Sequence, residues 1–196
     1  MAPPLVSCII PSSKKKSYLT AAIQNFLSQD YANCELIVLI DDIADTEIIE
    51  INQPLITFYR CSVLNGISER RNFACEKAMG TIIVHWDADA WRAKDWITKQ
   101  VQFLLGTAGD VCSLQTINCY TNNDRLLTSV TFPINHETQS LYTPNIAYLK
   151  SFWDKHPFLQ DIMAVSDYFL VPKDIKLIIH NYVDGFISHE PLSLTE

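Results

Sequence analysis

Short apolar runs alternate with longer amphipathic stretches along the first half of the chain. Leu5 to Ile10 is a β-branched-rich run closed by Pro11, and it predicts a buried strand. After "SSKKKS", Leu19, Ala22, Ile23, Phe26 and Leu27 recur at helical spacing, so "YLTAAIQNFLSQ" predicts an amphipathic helix. Cys34 to Ile40 is a second buried strand that runs directly into Asp41 and Asp42, and Ile56 to Arg60 is a shorter third. "NGISERRNFACEKAMG" reads as a glycine turn, a Ser68 cap, a helix through Ala78, and Gly80 as its stop. Thr81 to Trp86 is a fourth strand with Asp87 and Asp89 at its end, and "AKDWITKQVQFLLG" is a helix ending at Gly106.

Strands that alternate with helices predict βαβ units and a mostly parallel sheet. Past residue 110 the pattern changes. "DVCSLQTINCY", the turn "TNND" and "RLLTSVTF" predict an antiparallel hairpin; "NIAYLK" is a further strand, "SFWDKH" a short helix and "DGFISHE" a closing strand. The expected fold class is α/β: a three-layer sandwich with a mostly parallel mixed sheet and helices on both faces. One domain spans 1–196, with a nucleotide-binding half over 1–110 and a mixed half over 111–196.

In open α/β sheets, ligands bind outside the carboxyl ends of the strands. Asp41, Asp42, Asp87 and Asp89 all fall at such ends. Carboxylates collected on one edge repel one another unless a cation or a donor-rich ligand sits there. The spacing Asp-x-Asp is also the composition of an ordinary turn. Here the pair follows a buried strand, lies between Trp86 and Trp91, and shares an edge with Asp41. Hard carboxylate oxygens suit Mg²⁺ or Mn²⁺, which are typically held by one or two carboxylates plus substrate phosphates.

Bulk composition narrows the ligand. The 196 residues carry a net charge of −7, which argues against nucleic acid as a partner, because phosphate binding needs a clustered positive field. A metal that bridges protein and diphosphate resolves that difficulty. The glycine-rich phosphate loops G-x-x-x-x-G-K-[ST] and G-x-G-x-x-G are absent from the sequence. "SERRN" instead supplies Arg70 and Arg71 near a helix start, where the backbone dipole also favours an anion. Six cysteines without a C-x-x-C pair, several within apolar runs, read as buried reduced thiols. With no signal-like start and no run approaching the roughly 20 apolar residues of a membrane span, the expectation is a cytoplasmic chain, compatible with peripheral membrane contact. His85 and the Trp86, Trp91 and Trp96 cluster read as packing residues, with one indole available to stack on a ligand ring.

"PLVSCIIP", "QDYANCELIVLIDD", "NGISERRNFACEKAMGTIIVHWDADAW" and "YLKSFWDKHPF" occur in an order that resembles the family 2 glycosyltransferases of GT-A (Rossmann-like) fold. That resemblance implies an inverting enzyme with a nucleotide-sugar donor, usually a UDP-sugar, an acceptor hydroxyl of unidentified kind, and Mn²⁺ or Mg²⁺. It places Pro11, Asp41, Arg71 and Asp87 at the donor, with Asp41 accepting from the base and Arg71 reaching the nucleotide. Asp89 becomes the main metal carboxylate, His189 a further metal ligand, and Asp167, at the start of a late helix, the catalytic base. Departures are visible: "PSSKKK" stands where the family has a Thr-Tyr-Asn-like stretch, Ser166 replaces the Glu of a Glu-Asp pair, and few residues follow His189. These departures support an alternative, a nucleotide-sugar binding module with weakened catalysis. A dehalogenase-like phosphatase also uses Asp-x-Asp with Mg²⁺, but there the motif ends the first strand and not the fourth.

Overall fold

Three parallel crossovers build the centre of the molecule. The computed structural model describes residues 2–11, 16–40, 53–61, 64, 66–114, 116–121, 126–131, 140–142, 145–159, 168–170, 177–180 and 185–188. Its elements run β1 (Val6–Ile10), α1 (Lys16–Leu27), β2 (Cys34–Ile40), β3 (Ile56–Arg60), α2 (Ile67–Lys77), β4 (Ile82–His85), β5 (Ala90–Arg92), α3 (Trp96–Gly106), β6 (Val111–Leu114) and β7 (Thr116–Thr121). They continue with β8 (Leu126–Thr131), β9 (Ser140–Tyr142), β10 (Ile146–Leu149), α4 (Lys150–Trp153), β11 (Tyr168–Leu170), β12 (Leu177–His180) and β13 (Gly185–Ser188). A seven-stranded sheet has the order β12-β6-β10-β4-β1-β2-β3. β1 lies parallel to both β2 and β4, β2 lies parallel to β3, and β10 is antiparallel to its neighbours β4 and β6.

Side-chain alternation sorts the core onto two faces. Cys8, Ile10, Leu36, Val38 and Val84 pack with Ile23 and Phe26 of α1 and Ile97 and Leu104 of α3. Ile9, Ile37, Leu39 and Ile83 face the other way, onto Ala74 and Cys75 of α2 and Phe152 and Trp153 of α4. Period-two strands buried on both sides read as continuous apolar runs, and each such side chain contributes about 1.5–3 kcal/mol on burial. The expected three-layer α/β arrangement is therefore present.

Several local expectations change. Helix α2 is capped by Gly66, with Ser68 buried in its first turn, and it ends at Ala78. Gly80 serves a different purpose from a helix stop. A Cβ there would lie 2.6 Å from Ser7 Oγ and 2.7 Å from Leu5 O and Ser7 N. The chain needs glycine because the start of β4 crosses β1 at backbone contact. Gly80 N–H donates to Ser7 Oγ (2.8 Å), Ser7 Oγ–H donates to Glu35 Oε1, and Met79 N–H donates to the same carboxylate (2.7 Å). "DVCSLQTINCY" is two strands in different sheets. β7 pairs antiparallel with β8 as the expected hairpin, but within a four-stranded sheet of order β5-β13-β7-β8.

Candidate functional site

The carboxyl ends of β1, β2 and β4 open on one edge of the large sheet. Pro11 follows β1 there and is buried. β4 stops at His85, and the Trp86 N–H donates to Ile9 O at 2.9 Å, which fixes where the chain leaves the sheet. The indole of Trp86 is fully buried, and its Nε1–H donates to the Ala22 carbonyl of α1 at 3.1 Å. Asp87, Ala88 and Asp89 then form a turn, with the Ala90 N–H reaching the Asp87 carbonyl at 3.3 Å. Asp87 is half-buried and Asp89 exposed. β5 alternates: Ala90 and Arg92 are buried, while Trp91 is 41% exposed. Of the three clustered tryptophans, Trp86 and Trp96 are core and Trp91 is not.

β5 is the element that joins the two sheets at this edge. It pairs antiparallel with β13, with Phe186 opposite Trp91 and Ile187 opposite Ala90. β13 thus runs toward the aspartate turn and ends at Ser188, one residue before His189. His189, Asp41, Asp42 and Asp167 lie outside the described residues. The residues after Asp167 form strand β11, antiparallel to β9, in place of the late helix that the resemblance implies.

Arg71 is 3% exposed. It sits one turn into α2, whose start lies at the carboxyl edge because α2 carries the chain from the end of β3 back to the beginning of β4. Its guanidinium lies over the Phe158 ring at 5.6 Å. Below it runs a buried polar chain: His85 Nε2 meets the Tyr148 hydroxyl at 3.1 Å, and that hydroxyl meets Cys75 Sγ at 3.2 Å. Burial pushes the Cys75 thiol up to about 12, with the Tyr148 hydrogen bond, Lys150 and Arg71 pulling it partly back. Tyr148 is raised well above the ordinary phenol, by burial first and then by Cys75. Both groups stay neutral at physiological pH. Cys8, Cys34, Cys61, Cys75 and Cys112 are buried thiols outside any disulfide, as the sequence suggests.

Among the described residues, no three His, Cys, Asp or Glu side chains gather as a metal centre. The donor set on the turn nevertheless suits a hard divalent cation, which takes one or two carboxylates and fills its remaining positions with phosphate oxygens and water. Among the described residues, no helix is long and apolar enough to cross a membrane.

The model of the family described as "Glycosyl transferase family 2" matches residues 7–165. The chain belongs to that family. Its relatives include an uncharacterized glycosyltransferase of Haemophilus influenzae, 34% identical over 107 residues, which span 52% of this chain and 43% of the relative. Another is the Escherichia coli UDP-Glc:alpha-D-GlcNAc-diphosphoundecaprenol beta-1,3-glucosyltransferase WfgD, 31% identical over 104 residues, 52% of this chain and 41% of WfgD. The matched segment thus spans less than half the length of either relative. Among solved structures, S. aureus TarS 1-349 in complex with UDP-GlcNAc superimposes with a TM-score of 0.69 at 15% identity, covering 98% of this chain and 61% of TarS. GalNAc-T7 with UDP, GalNAc and Mn²⁺ gives 0.70 at 13% identity, covering 97% and 44%. These likenesses identify the fold of this family 2 chain as GT-A. The sequence pattern passed over Asn25, Gln29 and Arg92, whose partners lie far along the chain. The available signal was two amides four residues apart, Asn25 on α1 and Gln29 two residues past its end.

Proposed function

We propose that the chain is the donor-binding and catalytic domain of an inverting glycosyltransferase that moves a sugar from a UDP-sugar to an acceptor hydroxyl. The observation that supports this most directly is the Asp87–Asp89 turn at the carboxyl edge of a GT-A sheet, with Arg71 buried beside the same edge. Asp41 and Pro11 would border the nucleotide, Asp87 the ribose or the metal, and Arg71 the nucleotide. Asp89 and His189 would hold Mn²⁺ or Mg²⁺. When bound, that ion supplies charge stabilisation to the leaving diphosphate. Asp167 would take the proton of the acceptor hydroxyl as its oxygen attacks the anomeric carbon from the face opposite the departing diphosphate. The diphosphate leaves with the bonding pair, and Arg71 offsets part of its charge. Loss of one such contact costs on the order of 10²-fold in rate. The acceptor class stays open between glycan, lipid and small molecule. Buried thiols outside any disulfide among the described residues fit a cytoplasmic setting.

A second reading has its own support. Strand β11 follows Asp167 where a helix was expected, and Ser166 stands in place of Glu. Both favour a nucleotide-sugar binding module with weakened turnover. Calorimetric titration of UDP and GDP, each with and without Mn²⁺, tests the donor site in the wild type and in Asp89→Ala. Metal-dependent UDP binding that vanishes in Asp89→Ala supports the proposal, and no binding of either nucleotide removes it. Donor hydrolysis by wild type but not by Asp167→Asn then favours the enzyme over the binding module.

A further inference from the structure

Both flanks of the aspartate turn are tied to a single turn of α1. On the near side, Trp86 Nε1–H donates to Ala22 O at 3.1 Å. On the far side, Asn25 holds the Arg92 backbone at both ends: its Nδ2–H donates to Arg92 O at 2.7 Å, and the Arg92 N–H donates to its Oδ1 at 2.8 Å. Ala22 and Asn25 are three residues apart, one above the other on the helix. The five residues between the two anchors, 87 to 91, contain both aspartates. Two residues past the end of α1, Gln29 Nε2–H donates to Ala93 O (2.9 Å) and its Oε1 accepts from Ile97 N (3.2 Å). Beyond it, Asp30 N donates to Lys94 O (2.9 Å), and Asp30 Oδ1 accepts from Thr98 Oγ1 (2.6 Å). Arg92 itself is 2% exposed, with its guanidinium 4.8 Å from the Trp96 ring centroid.

We infer that Asn25 is a positioning residue for the divalent-metal and diphosphate site: by fixing the Arg92 backbone against α1, it sets the separation and direction of the Asp87 and Asp89 carboxylates. The inference rests on the donor-site reading above. Three features make Asn25 suited to this. A primary amide both donates and accepts, so one side chain can close the donor and acceptor of a single residue. The clamp acts on main chain at Arg92, so the only side-chain rotamer involved is that of Asn25 itself. And it sits three residues from Asp89, with no intervening flexible segment. A side chain that orients ligands from behind typically carries about 10–100-fold in metal affinity.

The test compares wild type, Asn25→Ala and Gln29→Ala. UDP affinity is measured by calorimetry without metal and across a Mn²⁺ titration, and thermal midpoints are recorded alongside. In Asn25→Ala, the Mn²⁺-dependent gain in UDP affinity is expected to fall at least about tenfold, with metal-free UDP affinity retained. Gln29→Ala releases residues 93 and 97 and leaves the Arg92 clamp in place. It is expected to lower the thermal midpoint and keep the metal-dependent gain. If Asn25→Ala does not fold, Asn25→Asp is read by the same criterion, since it keeps the acceptor for the Arg92 N–H and loses the donor to Arg92 O. Parallel loss of metal-free and metal-dependent binding in the Asn25 variant would reduce it to a general structural residue and overturn the inference. So would an unchanged metal-dependent gain. Absence of any metal-dependent gain in the wild type is a different outcome: it refutes the donor-site reading itself, and this inference with it.

Discussion

Gly80 follows one helix and Gly106 ends another, yet they should respond oppositely to alanine. At Gly80 an added Cβ would sit 2.6–2.7 Å from Ser7 Oγ, Leu5 O and Ser7 N. Two of those atoms are main chain of β1 or its approach, so they cannot rotate away. β4 must shift from β1 by several tenths of an ångström, and the Gly80 N–H must leave Ser7 Oγ. Overpacking of this kind costs about 1–3 kcal/mol, and loosening the buried Ser7–Glu35 network adds about 1–3 kcal/mol, so a total near 3 kcal/mol is expected. At roughly 2–4 °C per kcal/mol for a chain of this size, the thermal midpoint should drop about 6–12 °C. At Gly106 nothing lies within 4 Å of the added Cβ. Since Gly106 is the last residue of α3 and lacks a positive φ, alanine there should stabilise by about 0.5 kcal/mol through the unfolded state. Urea titrations and calorimetric melts of both variants give the comparison. Ser7, Glu35 and Gly80 stand at the amino edge of the sheet, so UDP affinity of Gly80→Ala should hold below its melt. A midpoint within about 2 °C of wild type would show that β1 and β4 separate without penalty and would refute the close-approach account.

Other expectations follow from the same geometry. Cys75 and Cys112 are raised from 9.0 to about 12 by burial, so neutral thiols stabilise the fold fully below pH 9. Above that pH the unfolded chain ionises first, and stability should fall by about 1.4 kcal/mol per pH unit per thiol until about pH 12; urea midpoints at pH 8 and pH 10 check this, and equal midpoints would contradict it. Arg71→Lys keeps the charge and loses the planar fork, and it should weaken UDP binding on the order of tenfold by calorimetry. Trp91→Ala should leave stability and UDP affinity near wild type and raise the acceptor KM by roughly fivefold, the loss of about 1 kcal/mol of stacking; an unchanged KM would remove Trp91 from the acceptor path.

The interior of the fold was legible because its strands are buried on both faces. Cys34–Ile40, buried throughout, emerges with the boundaries that its apolar run suggests; Ile56–Arg60 keeps its expected boundaries although only Ile56 is buried. The aspartate turn was legible for a topological reason: in a parallel sheet, whatever follows a strand at its carboxyl end lies at the ligand edge. Three-residue strands were not. β5 contains a buried arginine, β9 and β11 are too short to show alternation, and each owes its form to a partner far along the chain. The change of sheet between β6 and β7 leaves no glycine, proline or charged residue to mark it, since Leu114-Gln115-Thr116-Ile117 passes straight from one strand to the next. Gly80 was read as a helix stop because close backbone approach leaves the same residue type in the sequence. Asn25 looks like an ordinary surface amide until the strand it clamps, 67 positions away, is in view.

The way consecutive strands are divided between the two larger sheets bears on how this molecule can be taken apart. β6 leads into β7 and β12 into β13; in both cases the first strand lies in the large sheet and the second in the small one, and β6·β12 and β7·β13 are each parallel. A two-ply ribbon therefore passes from one sheet to the other, and β5, from the early part of the chain, is sewn to its edge through β13. The small sheet is not a cassette that could be exchanged between relatives. A chimera joined near residue 110 would carry its aspartate turn on one parent and the strand that buttresses it on the other. Recombination between such proteins must keep β5 and β13 from the same ancestor, or redesign them as a pair.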